Sequence, residues 1–83
     1  MPEAPLTPVA VGRAIRLRRL ELGLTQEQLC ERMGMPGERV SYISAVENGQ
    51  RADLKITRLD LFAQALETSA TDLLLVASKE GAA

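Results

Sequence analysis

The chain has 83 residues, one domain's worth, and 46% of them are hydrophobic, which suffices for a single modest core. Its formal net charge of −1 argues against a non-specific polyanion binder, normally strongly basic, while leaving room for one basic face on a near-neutral surface. Histidine is absent, and there is no metal-ligand cluster and no Gly-rich phosphate loop, so the chain reads as no enzyme, with no catalytic residue, metal or cofactor. Cys30 is the only cysteine, which rules out an intrachain disulfide and fits a reducing compartment. No signal segment opens the chain and no apolar run is long enough to span a membrane, so a cytoplasmic protein is expected. Tyr42 and Phe62 are the only aromatic residues, so the core is expected to be built of Leu, Ile, Val, Met and Ala.

In chain order, residues 1–6 carry Pro2 and Pro5 and read as a flexible arm. Thr7-Pro8 has the chemistry of a helix start, Thr as N-cap and Pro in the first turn, with Leu6 and Val11 spaced as a hydrophobic staple. This first helix is expected to reach about Leu22 and stop at Gly23. Arg13, Arg16 and Arg18 are expected, for at least two of the three, to solvate its outer face. Thr25 and Gln28 form a capping box for a second helix from Gln26 to Met33, which Gly34 ends. Met35-Pro36-Gly37 is turn chemistry, and a third helix is expected from about Glu38 to Glu47, closed by Asn48-Gly49. Thr57 is the expected N-cap of a fourth helix with the stripe Leu59, Phe62, Ala63 and Leu66. Ser69 caps a short last helix ending in Leu73-Leu74-Leu75-Val76, and residues 78–83 are expected to be a flexible tail. The fold class is therefore all-α with five helices, the domain occupying residues 7–77.

Two short helices crossing steeply need a small residue at the contact, a turn residue between them and apolar anchors on the second. Cys30, Gly34, and Ile43 with Val46 supply these, so residues 25–49 read as a helix-turn-helix. The wider pattern resembles the lambda-repressor and Cro-like helix-turn-helix domains, the XRE family, over about residues 12–75. The resemblance is carried by Ile15-Arg16, Arg19, Gly23 through Leu29, Gly34, Tyr42 through Gly49, Arg51, Ala63, Leu66, Ser69 and Asp72-Leu73-Leu74.

The resemblance implies a five-helix, lambda-repressor-like DNA-binding domain whose third helix lies in the major groove. It implies a phosphate contact at Gln26 and a structural pair between Arg19 and Glu47. DNA-binding residues are expected at Thr25, Gln26, Arg39, Val40, Ser41, Tyr42, Ser44, Ala45, Asn48 and Arg51. Val40, Ser41, Ser44 and Ala45 fall where the family reads bases, and Tyr42 is expected to reach a phosphate through its hydroxyl. None of the four base-reading residues offers bidentate readout, so apolar, water-mediated and shape recognition are expected to share the work. The spacing of Gly34 and Ile43 is three residues longer than in the family, which either lengthens the turn or extends the recognition helix from Pro36.

The apolar surplus at Leu73, Leu75 and Val76 suggests a twofold dimer interface, and a dimer would set two recognition helices roughly 34 Å apart on a palindrome. The function implied is a transcriptional regulator acting on double-stranded DNA as a homodimer. A restriction–modification controller, a phage-type repressor and an autoregulating antitoxin all fit, with RNA polymerase or a cognate toxin as further partners. The alternative is a protein-interaction module that uses the same fold without DNA, which the low net charge and the plain Ser/Ala face favour.

Overall fold

Five helices are present in the computed structural model, which describes residues 6–35, 39–51 and 54–82, with side chains to residue 79. They are α1 (Pro8–Glu21), α2 (Gln26–Arg32), α3 (Val40–Glu47), α4 (Ile56–Ala65) and α5 (Ala70–Ala82). No strand occurs among the described residues.

Local chemistry sets most of the helix ends. Thr7 Oγ1 accepts from the Ala10 N–H at 3.1 Å and Pro8 opens α1. At α2 the capping box is complete: Thr25 Oγ1 accepts from the Gln28 N–H at 3.0 Å, and Gln28 Oε1 accepts from the Thr25 N–H at 2.9 Å. Helices α1 to α4 all end in Schellman motifs. In α1, for example, the Gly23 N–H donates to Leu20 O and the Leu24 N–H to Arg19 O, both at 3.0 Å. The left-handed residue is Gly23, Gly34 or Gly49 after α1, α2 and α3, but Glu67, at φ 56°, after α4.

Three expectations need correcting. Helix α4 starts before Thr57: Lys55 is its extended N-cap residue, the Leu59 N–H donates to Lys55 O at 2.9 Å, and no side chain caps the helix. The last helix does not stop at Val76 but runs to Ala82, taking in most of the expected tail. Its extension has a packing reason, because Ala77 is fully buried against Ala10 and Ala14 of α1. Leu73, expected at a dimer surface, is buried in the core.

The core gathers Ile15, Leu29, Cys30, Ile43, Val46, Leu59, Phe62, Ala63, Leu66 and Leu73 from all five helices. Phe62 is its largest fully buried side chain, so the expected aliphatic core also takes in one aromatic residue, from the stripe of α4. Burying each of the large members contributes about 1.5–3 kcal/mol. Val40, Tyr42, Met33 and Met35 pack half-buried against this core. The arm expected at 1–6 lies, apart from the exposed Leu6, outside the described residues. So do residues 36–38, which decide between a longer turn and an extended helix; the described part of α3 begins at Val40.

Polar docking completes the frame. Arg18 Nε donates to Leu66 O at 2.9 Å and Arg32 Nη1 to Ala65 O at 3.1 Å, so α1 and α2 each place a cation on the C-terminal carbonyls of α4. Those carbonyls have no partner inside the helix, and its dipole favours positive charge there. Arg18 thus works at a helix end rather than on a solvated face.

Candidate nucleic-acid interface

The orientation of α3 is fixed by its last residue. Glu47 is buried, and its carboxylate accepts from Arg19 Nε at 2.6 Å and Arg19 Nη2 at 3.0 Å. Gln26 Nε2, at the first position of α2, donates to the same carboxylate at 3.2 Å. Arg19 Nη1 also donates to Leu24 O at 2.8 Å, in the link between α1 and α2. One carboxylate therefore ties α1, α2 and α3 together with charge-assisted bonds. Close backbone approach adds to this: a Cβ on Gly12 would lie 2.8 Å from Glu47 O and nearer still to Val46 O.

With Ile43, Val46 and Glu47 turned inward, α3 leaves a polar row outward. Ser41 and Asn48 are exposed, Ser44 and Ala45 half-buried, and Asn48 Nδ2 lies 3.4 Å from Ser44 Oγ. Val40 belongs to the core side as much as to this row. Thr25 spends its hydroxyl on the α2 cap and stays exposed.

Beside the row lies a cationic surface. Arg39 is exposed at the start of α3, and with Met35, Tyr42, Arg51 and Arg58 it lines one hollow. A second hollow shares Tyr42, Arg51 and Arg58 and adds Leu54, Lys55 and Thr57. The guanidinium carbons of Arg51 and Arg58 stand 5.0 and 5.6 Å from the centroid of the Tyr42 ring, within cation–π range. Tyr42 in turn stacks on Phe62, centroids 6.3 Å apart and planes 24° from parallel.

Of the residues singled out in the sequence, the structure brings Arg39, Tyr42 and Arg51 to this surface and Ser41, Ser44, Ala45 and Asn48 to the adjoining row. Gln26 is instead held at Glu47, and Leu75 and Val76 are exposed on α5, far along the chain from α3. Arg58 was missed. Its only signal was a basic residue in the first turn of a helix following the loop that carries Arg51, which does not by itself show that the two meet at Tyr42. Among the described residues no group of three His, Cys, Asp or Glu is placed to hold a metal ion, and no helix is long and apolar enough to cross a membrane.

A helix-turn-helix family model, HTH_3, matches residues 15–73. No curated protein sequence matches the chain. Among solved structures, it is similar to a mutant of the restriction-modification controller protein C.Esp1396I, at 30% identity and TM-score 0.80 over 95% of this chain and 100% of that one. It is also similar to the clp gene regulator ClgR from C. glutamicum, at 30% identity and TM-score 0.78, covering 92% and 94% of the two chains. A third likeness is to the restriction-modification controller protein C.AhdI from Aeromonas hydrophila, at 32% identity and TM-score 0.70, covering 80% and 94%.

Proposed function

The chain belongs to the lambda-repressor-like, XRE-type helix-turn-helix family, and from that premise we propose that it is a DNA-binding transcriptional regulator recognising a palindromic operator as a homodimer. The observation that carries this reading is the junction of the outward Ser41, Ser44, Ala45 and Asn48 row of α3 with the cations Arg39 and Arg51 beside it. In the proposed complex α3 lies in the major groove and the row faces base edges, the alanine and serines reading methyl groups and single donors or acceptors. Arg39, Arg51 and the Asn48 end of α3 meet phosphates and set the register. Gln26 has a second amide N–H beyond the one given to Glu47, and that N–H is the phosphate donor at the start of α2.

The domain proper is proposed to span residues 7–82, to the end of α5. Leu75 and Val76, 57% and 38% exposed, are the proposed dimer contacts, without Leu73. Likeness to two restriction-modification controller proteins favours a controller over a phage-type repressor or an antitoxin. RNA polymerase is then the further partner to test.

Selection from random duplex DNA, followed by a salt titration on the enriched site, tests the proposal. A palindromic consensus bound with a steep negative salt slope is expected. Absence of enrichment, with no salt-sensitive binding, overturns it in favour of a protein-interaction module.

A further inference from the structure

We propose that the Tyr42 ring is a platform that gathers Arg51 and Arg58 into one clamp for the DNA backbone, which makes Arg58 a phosphate ligand and Tyr42 a positioning residue acting through its face. The clamp rests on the DNA-binding reading above. It departs from the expectation that Tyr42 contacts DNA through its hydroxyl.

Two features carry it. First, the platform is anchored: Tyr42 is half-buried and stacks on Phe62, which has no exposed surface at all. Second, the two cations come from separate segments, Arg51 from the loop after α3 and Arg58 from the first turn of α4, yet both stand over the same ring at 5.0 and 5.6 Å. Arg58 has a further hold, Nη1 lying 3.9 Å from Met35 Sδ. The planar fork of N–H donors on a guanidinium fits two oxygens of one phosphate. Arg39 and Lys55 line the same two hollows and add to the positive charge there. Because Tyr42 and Arg39 belong to the recognition helix and its cap, the clamp sits beside the groove-facing row, where a backbone phosphate passes when α3 is docked.

The test uses the full chain and its selected site, measuring affinity by fluorescence anisotropy across a salt series, with circular dichroism to check folding. Arg58→Gln, on an exposed position, is expected to weaken binding roughly tenfold, to reduce the salt slope by about one and to leave the consensus unchanged. Tyr42→Leu is expected to lose a similar factor, and the conservative Tyr42→Phe to restore it. Arg58→Gln with wild-type affinity and slope overturns the clamp. So does a Tyr42→Phe protein as weak as Tyr42→Leu, since the hydroxyl would then be the ligand. If the wild-type chain shows no salt-dependent duplex binding, the DNA reading itself falls and the clamp with it.

Discussion

Arg19 and Glu47 form a two-pronged buried ion pair, Nε and Nη2 against the two carboxylate oxygens, across 28 residues of chain. Their side chains are only 10% and 3% exposed, so salt in the solvent screens them little. Removing one partner strands a buried charge. Glu47→Ala is expected to cost about 3–5 kcal/mol, a large part of a small domain's stability. The double variant Arg19→Met with Glu47→Leu is expected to recover most of that loss. Denaturant melts of the two variants check it: a double variant as unstable as the single one would show that the pair supplies more than charge compensation.

Gly12→Ala is expected to destabilise the domain by about 3 kcal/mol or more, beyond the usual range for a gained methyl group. The new Cβ would collide with the carbonyls of Val46 and Glu47, which are backbone and cannot swing aside. Thermal unfolding reads the effect directly, and a change in Tm of under 2 °C would contradict it, since about 1 kcal/mol already moves a domain of this size by roughly 4–8 °C.

Glu67 occupies the left-handed position that glycine holds after α1, α2 and α3. Glu67→Gly is expected to stabilise the protein by about 1 kcal/mol, less the contribution of the ion pair that Glu67 Oε2 makes with Arg32 Nη1 at 3.0 Å. That pair is exposed, so the deduction is small. Glu67→Val, β-branched at the same φ, is expected to destabilise. The two midpoints in urea should therefore move in opposite directions.

Arg39→Ala is expected to weaken binding to the selected operator and reduce the salt slope by about one, without altering the consensus. Ser44→Ala is expected to leave the slope alone and relax one position of the consensus. Identical behaviour of the two proteins would mean that α3 does not lie in the groove in this register.

Leu75→Glu is expected to convert the proposed dimer to monomer and to lower operator affinity at low protein concentration. Its exposed side chain makes misfolding an unattractive explanation for any loss. Sedimentation of the wild-type chain as a monomer at tens of micromolar would remove the basis for this surface.

The helix starts at Thr7 and Thr25 and the stops at Gly23, Gly34 and Gly49 were legible because each is settled within a few residues, by one side-chain acceptor or one positive φ. The stripe Leu59, Phe62, Ala63 and Leu66 was legible for the same kind of reason, being periodic. What escaped depends on partners distant in the chain. Helix α4 begins at Ile56, a residue 82% exposed that carries neither a cap nor a core signal. The length of α5 follows from Ala77 meeting Ala10 and Ala14, and alanines look the same in any pattern. Arg18 reads with Arg13 and Arg16 as surface charge until α4 presents its carbonyls to it. In the candidate site, the row on α3 could be counted back from Glu47, whereas the gathering of Arg51 and Arg58 required Tyr42 to be seated on Phe62.

The seams between helices close through the smallest side chains: Gly12 where α1 meets α3, and Ala10, Ala14 and Ala77 where α1 meets α5. Tolerance to substitution should therefore run against side-chain size along α1. Trimming a large residue leaves a void that neighbours partly fill, whereas enlarging any of these four wedges two helix axes apart and tilts α3 with them. A saturation library would show its deepest losses at glycine and alanine codons, and variants that drift in operator preference without unfolding should arise at Ala10 and Ala14, far from any residue that faces a base.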